Sequence, residues 1–323
     1  MPKYISNVVF FEVFQEEKEA IFRFLPKNIN ALFYENTIQE EKCSIPNGAI
    51  ISIRTQSVVP LCWESKISAI LTRSTGHDHL HSFRNNSSVK IPYGFLPAYC
   101  ARSVAEHSLL IWASLLKKLP KQIENFKTFN RNGITGSELK NKNLLVIGVG
   151  NIGIEIVKIA TSLEMKVDGI DIVQKFDNVN YVSHDDDLSK YDIIVCAMNL
   201  TESNYNYFDN NFFDRIKKGS LFINISRGEL SPIHILNKYL QNEILAGIGL
   251  DVFDNEKVLA LSLRNKKSND EIKLIMELNK LPNVILTPHN AFNTHEATLI
   301  KSKQTVDQIK SLIECEYFIW EIP

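Results

Sequence analysis

The amino-acid sequence predicts an α/β protein of two domains, each built on a parallel sheet. Three observations carry this. Short apolar runs alternate with amphipathic helical segments along both halves of the chain, one of those runs opens into a glycine-rich turn, and 323 residues suffice for two domains of ordinary size. Apolar residues make up 44% and charged residues 23% of the chain, a balance that supports a buried core. A net charge of -1 leaves no global basic field, so nucleic acid is not an expected partner. The opening stretch, MPKYISNVVFFEVF, has too short an apolar run for a signal peptide and is interrupted by Glu12. No stretch approaches the roughly 18 apolar residues of a membrane span. A cytoplasmic protein with no membrane partner is expected. Cys43, Cys62, Cys100, Cys196 and Cys315 are scattered and never in C-x-x-C spacing, which points to buried free thiols rather than disulfides or a zinc site.

Residues 1 to about 100 read as a smaller α/β domain without a nucleotide fingerprint. Val8 to Phe11, Ala31 to Tyr34, Ala49 to Ile53 and Ala69 to Leu71 are strand candidates, and Gln15 to Phe24 is a helix between the first two. A helix follows from about Arg102 to Leu116, apolar nearly all round, which places it between layers or between subunits. Pro120 is expected to end it, and Lys121 to Asn143 to form a polar connecting arm.

The second domain opens at Leu144, where LLVI reads as a buried parallel strand and Gly148, Gly150 and Gly153 follow at G-x-G-x-x-G spacing. Ile152, Ile156, Ile159, Ala160 and Leu163 then recur at helical steps. Each glycine has its own reason: a tight turn, close approach of backbone to a pyrophosphate, and helix-to-strand contact. The helix N-terminus offers unpaired N–H groups to the phosphates. After a strand over Val167 to Ile170, Asp171 stands where a carboxylate accepts hydrogen bonds from an adenosine ribose. A carboxylate there repels a ribose phosphate, and Ile172 rather than arginine follows, so NAD is favoured over NADP. Strands are expected at Asp192 to Ala197, Leu221 to Ile225, Ala246 to Leu250 and Val284 to Thr287, with helices at Phe212 to Lys217, Pro232 to Asn242 and Asp270 to Leu278. Ser231 before Pro232 reads as a helix cap, and Asp185, Asp186 and Asp187 as the start of a helix. Thr294 to Cys315 is a final helix that crosses back to the first domain.

Three polar residues follow strands of the second domain: Arg227 after INIS, Glu256 after GLDVFDN and His289 after ILTP. Ligands of open parallel sheets bind outside the carboxyl ends of the strands. Arginine offers a rigid donor fork for a carboxylate, histidine exchanges a proton near neutral pH, and glutamate can orient the imidazole. Beside a nicotinamide, this set suits reversible hydride transfer between a hydroxyl carbon and a keto carbon.

In TRSTGHDHL (72–80), PAYCARSVAEHS (97–108), GVGNIG (148–153), INISRGEL (223–230), GLDVFDNE (249–256) and LTPHNAF (286–292), the chain resembles the D-isomer-specific 2-hydroxyacid dehydrogenase family. Its PAY segment is closest to the D-lactate dehydrogenase branch. The resemblance implies a Rossmann-type doubly wound domain over residues 102–292, which binds NAD, and a smaller flavodoxin-like substrate domain over 1–101 and 293–323, with a cleft between them that closes over substrate. It implies that Arg227 orients the substrate, Glu256 relays charge and His289 donates the proton. Asn151, Ile152 and Asp251 join Gly148, Gly150, Gly153 and Asp171 as cofactor-binding positions. Backbone groups around Thr75 and Gly76 receive the substrate carboxylate, and Tyr99 is either a substrate contact or a packing residue. The implied substrate is a 2-keto or D-2-hydroxy acid, D-lactate-like or larger, and the implied assembly a homodimer.

Two departures stand out. Ala197, Met198, Asn199, Leu200 and Thr201 replace the His-x-Pro-Leu-Thr segment of many family members, which bears on cofactor contacts, and Lys257 rather than proline follows Glu256. His77, Asp78, His79 and His81 have no partner cluster at ligand spacing, so no metal is expected. His107 reads as a buried, hydrogen-bonded structural residue. An NAD(H)-sensing binding protein and a methyltransferase with the same glycine pattern are the alternatives. The intact Arg227, Glu256 and His289 argue against the first, and the resemblance across the first domain, with His289 after TP, against the second.

Overall fold

The computed structural model describes residues 7–41, 44–45 and 47–322, so Cys43 lies outside the described residues. The chain divides into two compact units, Met1–Cys100 with Asn293–Pro323, and Ala101–Phe292.

In the first unit β1 (Asn7–Phe10), α1 (Gln15–Phe24), β2 (Asn30–Phe33), β3 (Ala49–Ile53), β4 (Ile67–Thr72), α2 (His81–Asn86) and β5 (Tyr93–Gly94) form a five-stranded sheet in the order β2-β1-β3-β4-β5. Every pairing is parallel, giving the strand order of a flavodoxin-like sheet. Strand β3 is buried along its whole length, because helices cover both faces of a parallel sheet and leave no polar side for alternation. Val8, Phe10, Ile50 and Leu71 pack with Ile309 and Leu312 in one core layer, while Val9, Phe11, Ile51 and Ile70 form the other.

The second unit begins with α3 (Ala101–Leu116) and α4 (Leu119–Phe126). Its sheet then takes β6 (Asn143–Ile147), α5 (Asn151–Ser162), β7 (Lys166–Ile170), β8 (Asn180–Tyr181), β9 (Ile193–Cys196), α6 (Asn210–Phe213), β10 (Ser220–Asn224), α7 (Ile233–Gln241), β11 (Leu245–Leu250), α8 (Glu256–Arg264), α9 (Asp270–Leu278) and β12 (Val284–Leu286). The order β12-β11-β10-β9-β6-β7-β8 is that of a doubly wound sheet, with its switch point between β6 and β9. The chain then returns to the first unit as α10 (His295–Cys315), which packs on α1.

Several local expectations are corrected. Pro120 does not close α3; it sits in the first turn of α4, where its missing N–H and fixed φ are assets, so the expected polar arm begins as a helix. Ser231 does not cap α7: its hydroxyl accepts from Asn224 Nδ2 at 2.7 Å, and Pro232 occupies the cap position. Asp185 to Asp187 start no helix. Asp186 and Asp187 instead accept the N–H groups of Ser183 and Ser189, the local turn bonding that short acidic side chains favour. Helix α8 is an element with no counterpart among the expected helices, and its weakly apolar face buries only Leu259. Cys100 and Cys196 are buried, whereas Cys62 and Cys315 are exposed. Helix α3 owes its apolar character to contacts with α5 and the sheet of its own unit.

Candidate functional site

The glycine turn joins β6 to α5, and its three glycines face different surroundings. Gly148 has a φ of +93°, and an added Cβ would lie 2.5 Å from Met198 N, so the turn needs glycine for both conformation and space. At Gly153 a Cβ would meet Gly148 O at 2.1 Å. At Gly150 a Cβ would meet nothing within 4 Å. Two glycines are closed in by protein and the middle one borders open space. Asn151 and Ile152 form the first turn of α5, whose N-cap, Gly150, has no side chain to occupy the free N–H groups. Asp171 follows β7; its Oδ2 accepts from Val149 N at 2.6 Å and its Oδ1 from Val173 N at 2.9 Å, which ties the acid to the glycine turn.

The segment that departs from the His-x-Pro-Leu-Thr pattern is held by its own polar groups. Asn204 Nδ2 donates to Asn199 O at 2.8 Å, Thr201 N donates to Asn204 Oδ1 at 2.7 Å, and Ser226 Oγ donates to Met198 O. Its backbone closes over Gly148.

His289 and Glu256 come together: Nδ1 of the imidazole lies 2.7 Å from Glu256 Oε2, with both side chains partly buried. Oε1 of the same carboxylate accepts from Phe253 N at 3.1 Å, which fixes its orientation. His289 has a φ of 52°, a left-handed conformation that non-glycine residues seldom adopt. What holds it is the buried Asp251, which accepts from Thr287 Oγ1 at 2.6 Å, Asn290 N at 2.8 Å and Ala291 N at 2.9 Å. His107 on α3 completes this network, with Nε2 at 3.1 Å from Thr287 Oγ1 and 3.7 Å from Asp251 Oδ1.

Arg227 leads into a short 3-10 turn, Gly228–Leu230. A Cβ at Gly228 would fall 1.8 Å from the carbonyl carbon of Phe253, so only glycine lets the Arg227 turn press against the loop that leads to Glu256. Asn224 secures the turn from below, donating to Arg227 O at 2.8 Å and accepting from Ser226 N at 3.0 Å.

Thr75, Gly76 and Tyr99 belong to the first unit. Ser74 Oγ donates to Gly76 O at 2.7 Å. Burial pushes the Cys100 thiol up from the ordinary thiol range, against the opposing influence of the Thr75 and Tyr99 side chains. Tyr99 packs against the core layer that contains Val306 and Ile309, and its phenol is raised well above the usual range, by burial first. Within the histidine-rich segment, His79 Nε2 is 3.0 Å from Thr72 Oγ1, a structural bond. Among the described residues, no group of three His, Cys, Asp or Glu side chains is arranged to hold a metal ion.

Residues 108–291 match the family model for the D-isomer specific 2-hydroxyacid dehydrogenase, NAD binding domain. The chain belongs to this family. An aromatic 2-oxoacid reductase of Clostridium sporogenes is 31% identical over 240 residues, 72% of this chain and 71% of the relative. A D-lactate dehydrogenase of Escherichia coli is 29% identical over 225 residues, 67% of this chain and 68% of the relative. Among solved structures, D-lactate dehydrogenase from Aquifex aeolicus, complexed with NAD and lactic acid, superposes with a TM-score of 0.84 at 27% identity, covering 97% of this chain and 99% of that one. The chain is thus an NAD-dependent dehydrogenase that interconverts a D-2-hydroxy acid and its 2-keto acid.

In this dehydrogenase, sequence reasoning named His107 as hydrogen-bonded and Asp251 as a site residue but missed their partner Thr287 and the support from Asn224. His107 and Thr287 were invisible as a pair because 180 residues separate them. The spacing of Asn224 three residues before Arg227 was a usable local signal. Glu17, Arg73 and Lys301 are fully buried, and no local sequence feature marks them as such.

Proposed function

We propose that His289 is the general acid and base of the reaction, that Glu256 orients its ring, and that Arg227 binds the substrate carboxylate. The 2.7 Å contact between His289 Nδ1 and Glu256 Oε2 carries this reading. With Nδ1 engaged by the Glu256 carboxyl group, Nε2 is left to hold or release a proton at the substrate oxygen. A protein that only sensed NADH would have no use for this pair. Arg227 matches a carboxylate with a two-pronged donor, on a turn that Gly228 and Asn224 keep in place.

Gly148, Gly150, Asn151, Ile152, Gly153 and Asp171 hold NAD, which supplies hydride exchange when bound. The open space at Gly150, the uncapped first turn of α5 and the carboxylate of Asp171 all fit a dinucleotide. Asp251 serves the cofactor side through the loop that it fastens. In the first unit Thr75, Gly76 and Tyr99 receive the substrate. The substrate is D-lactate-like or a larger 2-hydroxy acid.

The working assembly is a homodimer in the cytoplasm. Leu110, Ile123, Phe126 and Phe129 are 59%, 65%, 74% and 70% exposed on and after α3 and α4, an apolar surface suited to a second copy. Sedimentation should give a dimer, and Phe126→Glu with Ile123→Glu a monomer; a wild-type monomer refutes this. Fractionation of the source cells should find the protein in the cytosol, and recovery elsewhere refutes that placement. For the reaction, NADH consumption is measured against a panel of 2-keto acids with NADPH as control. Turnover with NADH is expected, and a chain that binds NADH but turns over no 2-keto acid overturns the assigned roles.

A further inference from the structure

The first unit gathers positive charge at the carboxyl edge of its sheet. Strands β3 and β4 pair in register at Ile53 and Thr72, so Arg54 and Arg73, the next residues on each, leave adjacent strands at the same level. Arg73 is fully buried, and its guanidinium donates to Glu17 Oε1 at 3.0 Å, Ser52 Oγ at 3.1 Å and the carbonyls of Phe11 and Glu12 at 2.7 and 3.2 Å. Lys301 of α10 is equally buried, 2.8 Å from the same Glu17 oxygen. Two buried cations therefore share one carboxylate.

Arg54 differs from both. Its guanidinium lies 4.5 Å from the centre of the Phe14 ring and is only half-buried. Its loop is rigid: Glu12 accepts the N–H groups of Arg54, Gln56 and Ser57 at 3.1, 3.1 and 2.9 Å. Around this edge the three cations Arg54, Arg73 and Lys301 outnumber the carboxylates of Glu12 and Glu17. The Arg73 N–H donates to Ile53 O at 2.7 Å, and the chain runs on from Arg73 into Ser74, Thr75 and Gly76, so the strand end that carries Arg54 borders this turn. The charge of Arg54 also bears on the Tyr99 phenol. The arginine thus stands beside the segment assigned to the substrate.

We propose that Arg54 determines substrate class by receiving a second carboxylate at the far end of the substrate, so that the preferred substrates are 2-oxo dicarboxylates. This rests on the reading that Thr75 and Gly76 receive the first carboxylate. A guanidinium carries five N–H donors in a fixed fork. An alkyl or aryl side chain placed against it displaces water without replacing those hydrogen bonds, whereas a carboxylate replaces them with charge-assisted ones.

The test uses the full chain with NADH and compares kcat/KM for oxaloacetate and 2-oxoglutarate with that for pyruvate and phenylpyruvate. The wild type should favour a dicarboxylate. In Arg54→Met the ratio of dicarboxylate to pyruvate kcat/KM should fall by about 10- to 100-fold, the range for loss of a hydrogen bond to a charged group. Arg54→Lys, which keeps the charge without the fork, should fall between, and it carries the comparison if the methionine variant does not fold. A structural role for Arg54 would lower both values together and leave the ratio unmoved, which overturns the inference. Preference of the wild type for pyruvate or phenylpyruvate overturns it alone; failure to turn over any 2-oxo acid overturns the underlying reading as well.

Discussion

The carboxyl edges of the two sheets are built in opposite ways. In the second unit the core beneath the edge is apolar, with Leu145, Ile194, Phe208, Phe222 and Ile248 among its members, and Glu256, which opens α8, and His289, on the loop after β12, stand partly open. In the first unit the charge goes inside: Glu17, Arg73 and Lys301 are fully buried behind the edge. Burial pushes the Glu17 carboxyl up, but Lys301 and Arg73 outweigh it and hold it at about 2. The open arrangement leaves side chains accessible to substrate, while the buried one keeps the Glu17 carboxylate ionised between Arg73 and Lys301, with burial lowering Lys301 to about 8. One edge is suited to chemistry and the other to holding an anion.

Breaking the buried cluster should give the largest loss of stability. Glu17→Gln leaves two buried cations without a counter-charge and should cost about 3–5 kcal/mol in chemical denaturation. A cost under about 1 kcal/mol would mean that the cluster is hydrated. Acid should reach the same loss by titration. The folded-state carboxyl of Glu17 is held at about 2, below its ordinary 4.5, so the unfolded chain takes up the proton first. The stability that Glu17 contributes is complete above 4.5 and disappears as pH falls from there toward 2. A difference between wild type and Glu17→Gln that stays constant over that window would contradict the assignment.

Smaller effects should separate the glycines of the other edge. Gly153→Ala drives a Cβ to 2.1 Å from Gly148 O, and the resulting backbone shift should cost roughly 1–3 kcal/mol of stability. Gly150→Ala meets no protein atom within 4 Å, so it should leave melting unchanged and weaken NADH binding. Unweakened binding would place the pyrophosphate elsewhere.

The same contrast explains what could be read from sequence. The glycine turn, Asp171 and the strand before them lie within one contiguous stretch, and each element has a local physical signature. Helices α1 and α9 emerged with their observed limits, because their apolar spacing and flanking residues agree. Pro120, Ser231 and Asp185 to Asp187 misled because each suits more than one local role, and only the surroundings choose. Glu17, Arg73 and Lys301 could not be read at all: 56 residues separate the first pair, and nothing local distinguishes a buried charge from a solvated one. His107 and Asp251 could be singled out one by one, but their joining through Thr287, which keeps His289 in its left-handed conformation, spans 180 residues and has no local signature.

The most direct test of proton transfer by His289 is turnover and NADH binding in His289→Asn, since asparagine tolerates the φ of 52° that alanine would strain. Loss of the general acid and base should lower kcat by about 10²–10⁴-fold while the Kd for NADH stays within about threefold of wild type. A kcat close to that of the wild type would show that the proton comes from another group.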